Sequence, residues 1–352
     1  MTEVVASFIT ALCLSFASIK FFSYIFYKIW FIDNPKKYKK KRNPVPYGMW
    51  IVFFICFFAT SLIFIEYNYK LWLIWIFGFL ITAVSFVDDK INLSAKYRLF
   101  IQIFIGAIIA MTSIKIGYVS NIFWWVIELE TLFLEIGNYK LYIIPFVFTI
   151  MWYVFIFNAL NWTDWLSWNA SGLSAISFFI LFLLGYILFI SDTYQWWIDN
   201  ALFIMKMCII LVWILIPFWY FDVREKILMG DTGTMFLWFM LATIAIISGW
   251  KIATVLVVFW IYSVDAVYVI VKRLMKWKNP LSGDFTHLHH RLEKIGLSKT
   301  QFLWLVYSLS FCFWITALFL DKLWKILVFL LIVIIVIFIN TILEKTKKFI
   351  KK

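Results

Sequence analysis

Glycine is scarce in this chain, 12 residues of 352 against 21 tryptophans, although glycine ordinarily makes up about 7% of a protein. Charge is scarce too, at 14% of residues, where a soluble domain carries about 25%. Cysteine is limited to Cys13, Cys56, Cys208 and Cys312. All four fall inside apolar runs with none of the close pairing that a zinc site needs, and they read as small buried hydrophobes. What fills the space is apolar: 64% of the chain, with a mean hydropathy of +0.93. That excess cannot be folded into a water-soluble core. A soluble domain, a disordered chain and a secreted disulfide scaffold are excluded. An all-α polytopic membrane protein remains, built from apolar runs of ~20 residues that satisfy their own backbone.

About eleven runs are long enough, or nearly so, to span: near 4–31, 48–66, 70–87, 98–117, 144–160, 171–191, 201–221, 232–249, 252–271, 302–320 and 323–343. The basic excess, 32 Lys and Arg against 19 Asp and Glu, flanks these runs, as residues that hold topology do. No nucleic-acid role is expected. The first run is too long for a cleavable signal, and only Glu3 stands where a basic segment should precede one. The densest basic stretch, Lys36-Lys37-Tyr38-Lys39-Lys40-Lys41-Arg42, is cytoplasmic by the positive-inside rule. Alternation then places the N-terminus, 118–143 and 192–200 outside. It places 88–98, 161–170, 222–231, 272–300 and the Lys-rich C-terminus inside. The outer segment carries a Gly137-Asn138 turn signal, and a short hairpin is expected near 123–143.

The polar residues gather in the loops assigned to the cytoplasm. Asp88-Asp89-Lys90 closes the third run and is followed by Lys96, Arg98 and Gln102. Adjacent carboxylates repel unless a cation or basic group offsets them. Asn158-Ala159-Leu160-Asn161-Trp162-Thr163-Asp164 joins the fifth and sixth runs. It is too dense in hydrogen-bonding groups to be capping alone. Met229-Gly230-Asp231-Thr232-Gly233-Thr234 opens the eighth run; glycines beside an aspartate suit a phosphate and a divalent cation. All three histidines lie in Asp284-Phe285-Thr286-His287-Leu288-His289-His290-Arg291, a cationic patch suited to an anionic substrate. Asp265 sits within the ninth run and must face the bundle interior. Four loops converging on one face bring acidic groups for Mg²⁺ and basic groups for a nucleotide's phosphates. With a membrane setting, they point to phosphoryl transfer between a nucleotide-activated group and a lipid.

In this order the motifs resemble those of the polyprenyl-phosphate N-acetylhexosamine-1-phosphate transferases. The match runs over roughly residues 35–300, with loops near 88–98, 158–172, 226–234 and 276–300 in a single membrane domain spanning 1–352. The His-x-His-His form is similar to the branch that moves GlcNAc-1-phosphate onto undecaprenyl phosphate. The resemblance implies transfer from a UDP-sugar with release of UMP, at the cytoplasmic face of a bacterial plasma membrane. It implies dependence on Mg²⁺, with Mn²⁺ an acceptable substitute. Asp88, Asp89 and Asp164 then stand at catalytic positions, and Asn161 and Asp231 at metal positions. Lys96, Asn158, His287, His289, His290 and Arg291 stand at substrate-binding positions. The partners that the resemblance implies are undecaprenyl phosphate and the UDP-sugar, and it allows a homodimer. The alternatives are a UDP-MurNAc-pentapeptide donor, a lipid-binding relative without activity, and, more remotely, a transporter.

The departures are specific. Ser167 stands where the family has a second aspartate in its Asp-Gly-x-Asp-Gly loop. Tryptophan stands where glycine is expected at 165 and 168, and the same exchange is read at Trp50, Trp238, Trp250 and Trp277. Tryptophan offers neither the positive φ nor the close backbone approach of glycine. Some bacterial lineages read UGA as glycine where another code reads tryptophan, so these tryptophans are expected to stand for glycines.

Overall fold

The computed structural model describes residues 2–35, 43–91, 93–120, 126–161, 168–191, 194–248, 260–275, 277 and 298–319, with scattered helical positions between 324 and 338. The apolar runs become helices: α1 (Thr2–Lys28), α2 (Trp50–Phe64), α3 (Tyr69–Ile91), α4 (Ala95–Ala110), α5 (Ile143–Asn161), α6 (Asn169–Ser191), α7 (Gln195–Val223), α8 (Gly230–Ile247), α9 (Trp260–Met275) and α10 (Lys299–Phe319). Five of them, α1, α3, α6, α7 and α8, are long and apolar enough to cross a membrane; α2, α5 and part of α10 are shorter apolar helices. The run expected at 323–343 falls largely outside the described residues.

Two compact units divide the chain. The first comprises 1–117 and 129–250. Here α8 is the central helix, buried from Thr232 to Ile247 and packed by α2, α3, α5, α6 and α7. A helix apolar on every side has no stripe to turn to water and belongs in an interior. Three of its polar groups are met from neighbouring helices. The Tyr153 hydroxyl lies 2.8 Å from Thr243 Oγ1, the Trp152 indole N–H donates to the Ala242 carbonyl at 3.1 Å, and Asn200 Nδ2 donates to the Ile247 carbonyl at 3.1 Å at the helix's far end. Around this core α1 packs on α7, α6 on α7, and α4 on α5. Cys56 and Cys208 are buried as expected, but Cys13 and Cys312 are exposed. They lie on outward helix faces, where an apolar residue meets lipid at no penalty.

The expected hairpin is present and shorter than its assigned range. In it β3 (Phe133–Ile136) and β4 (Tyr139–Tyr142) pair antiparallel, with Ile136 opposite Tyr139. Gly137 adopts φ +60° in the two-residue turn, the geometry of hairpins that place glycine first. The second unit, 118–128 with 251–352, contains the antiparallel pair β1 (Tyr118–Ser120) and β2 (Val126–Glu128), together with α9 and α10. Within it Asp265 is buried at 4% exposure on α9.

Candidate active site

The site forms where the C-terminal end of α3 meets the N-terminus of α8. The neighbours Asp88 and Asp89 are used differently. Asp88 is a clasp for the α3–α4 turn: one oxygen accepts from the Leu93 backbone N–H at 2.8 Å, and the other pairs with Arg98 Nε at 2.9 Å. Arg98 also donates to the Leu93 carbonyl at 3.1 Å, which holds the turn closed. Asp89 turns to α8. Its Oδ2 accepts from the Thr232 hydroxyl at 2.5 Å and from the Thr232 backbone N–H at 3.3 Å, and the Tyr47 hydroxyl donates to it as well.

Asp231 stands in the first turn of α8, where a carboxylate meets the positive end of the helix dipole. It lies within electrostatic range of Asp89, Asp88 and Arg98. The loop entering α8 is braced from the N-terminal region. Ile32 and Pro46 form an antiparallel bridge, and the Leu228 N–H donates to the Pro46 carbonyl at 3.0 Å. Gly230 takes φ +75° with the Tyr47 ring so close that an added Cβ would sit 3.1 Å from it. Glycine suits that φ, and any Cβ there would have to push the Tyr47 ring back by a few tenths of an ångström. This is the physical content of the Gly-Asp pair in the sequence.

Two half-buried carboxylates from separate helices repel each other, and Arg98 is already committed to Asp88. Among the described residues no three His, Cys, Asp or Glu side chains group closely enough to hold an ion by themselves. Mg²⁺ takes hard oxygen ligands, is held by one or two carboxylates, and completes its shell with water and substrate phosphates. Asp89 and Asp231 fit that requirement.

Other expected site residues have separate fates. Asn158 is half-buried on α5, with its amide donating to Gln102 Oε1 at 2.6 Å and to the Val154 carbonyl at 2.8 Å. It ties α5 to α4 at this end of the bundle. Lys96 is exposed on the first turn of α4. Asn161 ends α5, but its side chain lies outside the described residues, as do Asp164, Ser167, His287, His289, His290 and Arg291.

One positioning group was not singled out from the sequence. Asp222, 4% exposed near the end of α7, accepts from the Trp168 backbone N–H at 3.0 Å and from the Ser171 hydroxyl at 2.7 Å with the same oxygen. It anchors the start of α6, immediately after the segment that carries Asp164. Thr232 and Tyr47 were likewise unassigned; their signal was nearness to the Gly-Asp motif and to a Pro-Tyr-Gly turn.

A helical protein with several helices long and apolar enough to cross a membrane, and with carboxylates from two of them meeting at one end of the bundle, is the class that this fold and site define. The match with the glycosyl transferase family 4 model covers residues 71–249, just over half of the chain and including α3 through α8. The chain belongs to that family. Among its relatives, the probable undecaprenyl-phosphate N-acetylglucosaminyl 1-phosphate transferase of Bacillus subtilis (strain 168) is 26% identical, over 98% of this chain and 93% of that protein. The undecaprenyl-phosphate alpha-N-acetylglucosaminyl 1-phosphate transferase of Salmonella typhi is 24% identical, over 78% and 72%. The phospho-N-acetylmuramoyl-pentapeptide-transferase of Staphylococcus saprophyticus is 24% identical, over 76% and 82%.

Proposed function

We propose that this protein transfers GlcNAc-1-phosphate from UDP-GlcNAc to undecaprenyl phosphate and releases UMP. The observation that carries the reading is the meeting of Asp89, Thr232 and Asp231 between α3 and α8, inside the span matched by the family. Relatives of two donor types match, and the near full-length match to the B. subtilis protein favours the N-acetylglucosaminyl donor over the muramoyl-pentapeptide one.

In this reaction a phosphate oxygen of the lipid attacks the β-phosphorus of the UDP-sugar. The bond from that phosphorus to the bridging oxygen breaks, and UMP leaves with the electron pair. The nucleophile needs little help in losing a proton, because the second pKa of a phosphate monoester is about 6. Asp88 is a poor candidate for a base on geometry as well, since both of its oxygens are engaged by the α3–α4 turn. Its task is to hold Arg98 and the turn beside Asp231.

Asp231, Asp89 and Asn161 would hold Mg²⁺, which when bound neutralises the diphosphate and the leaving UMP. Thr232 fixes the Asp89 carboxylate with two hydrogen bonds. His287, His289, His290 and Arg291 would bind the nucleotide-sugar phosphates, and Lys96 would stand at the rim for an anionic headgroup. Asp164 would join the site from the segment that precedes α6 in sequence. The single membrane domain would have about eleven spans in a bacterial plasma membrane, with the N-terminus outside and the site on the cytoplasmic face. The test is release of UMP by purified protein in detergent from UDP-GlcNAc, UDP-MurNAc-pentapeptide and UDP-GalNAc, each with undecaprenyl phosphate and Mg²⁺. UMP from UDP-GlcNAc first among these is expected; no UMP from any donor would refute the activity.

A further inference from the structure

Among the described residues, four other than glycine have left-handed backbone: Trp30 at φ +57°, Trp168 at +60°, Trp277 at +53° and Glu225 at +51°. Three of the four are tryptophan. In this conformation the Cβ of an L-residue crowds the following carbonyl oxygen, and a bulky residue there is a true outlier.

The local hydrogen bonding says what each position is. At the end of α1, the Phe31 N–H donates to the Phe26 carbonyl at 2.8 Å and the Trp30 N–H to the Tyr27 carbonyl at 3.4 Å, while the Phe26 and Phe31 rings meet with centroids 5.3 Å apart. This is a full Schellman ending, with its accompanying apolar contact and Trp30 at the position that glycine usually occupies. At the end of α9 the Trp277 N–H donates to the Leu274 carbonyl at 3.0 Å, the corresponding bond. Trp30 is 81% exposed and Trp277 98% exposed, so among the described residues neither indole is packed in a way that would offset the strain. Trp168 is buried, and its N–H approaches Asp222 at the entry to α6. The α7 ending has the same two bonds, from Glu225 to Asp222 and from Lys226 to Phe221. Its left-handed residue is Glu, an ordinary exception that shows the motif alone does not select tryptophan.

We infer that positions 30, 168 and 277 are glycine in the protein that the source cell makes, each encoded by UGA and rendered as tryptophan by the wrong code. The inference rests on backbone geometry and on the 21 to 12 excess of tryptophan over glycine, and is independent of the catalytic proposal. It adds Trp30 to the positions suspected from the sequence. It does not extend by this argument to Trp50, which opens α2, or to Trp238, which lies inside α8; Trp165 and Trp250 lie outside the described residues. A competing role exists, since tryptophan anchors helix ends at membrane interfaces. Two measurements separate them: the codons at 30, 168, 225 and 277 in the source DNA, and the masses of the peptides spanning those positions from protein isolated from source membranes. UGA at 30, 168 and 277 with glycine masses, and a glutamate codon at 225, are expected. UGG codons, or peptides with tryptophan mass, would overturn the inference and favour the anchoring role.

Discussion

Replacing Asp222 by alanine removes the acceptor for two buried donors, the Trp168 N–H at 3.0 Å and the Ser171 hydroxyl at 2.7 Å. A hydrogen bond to a charged group contributes roughly 1.5–3 kcal/mol, so the two together set an upper figure of about 3–6 kcal/mol. Two effects reduce it. The Ser171 hydroxyl has a second acceptor in the Trp168 carbonyl at 3.2 Å. Removing a buried carboxylate also relieves its own desolvation. The net loss worked from the geometry is about 2–3 kcal/mol, dominated by one stranded backbone N–H. The assay is thermal unfolding in one detergent under matched conditions for wild type, Asp222→Ala and Asp222→Asn. The asparagine keeps a carbonyl oxygen and is expected to lose about 1 kcal/mol, the scale of a single neutral hydrogen bond. An alanine variant as stable as wild type would refute the claim that Asp222 anchors α6.

Four further outcomes are expected. Asp231→Asn and Asp89→Asn should each lower the rate of UMP release by at least about 100-fold, the scale of losing one electrostatic contact to the reacting group, with thermal midpoints close to wild type. Thr232→Val keeps the shape but removes the hydroxyl that grips Asp89; UMP release should fall more than the backbone bond alone would explain, while helix content by circular dichroism is unchanged. Tyr153→Phe breaks the buried contact with Thr243 and should cost about 1 kcal/mol of stability without altering UMP release. Trp30→Gly, at an exposed left-handed position, should gain about 1 kcal/mol by relief of Cβ crowding, whereas Trp30→Ala should gain little; both are read as thermal midpoints.

Much of the architecture follows from chain composition because a bilayer permits few solutions. The helices α1 to α8 lie close to the apolar runs, and alternation assigns the loops of Asp88, Asp89 and Asp231 to one end without bringing them into contact. What the runs do not show is which groups cooperate. Adjacent aspartates in sequence point to different partners, because successive residues on a helix are about 100° apart: Asp88 closes a turn and Asp89 reaches α8. Asp222 reads as an ordinary charge at a helix end until its burial is known. Trp30 gave no signal by itself, although phenylalanines on either side of it, at 26 and 31, are the apolar pair of a glycine-type ending. The loops with Asp164 and with the histidines rest on motif alone.

The most direct test of the central claim is UMP release from UDP-GlcNAc and undecaprenyl phosphate by purified wild type and Asp231→Asn, each after chelation and again with Mg²⁺ restored. Release by wild type that stops on chelation, returns with Mg²⁺ and is absent from a folded Asp231→Asn protein is the predicted result. Equal release by both proteins, or release indifferent to the chelator, would contradict the site proposed between α3 and α8.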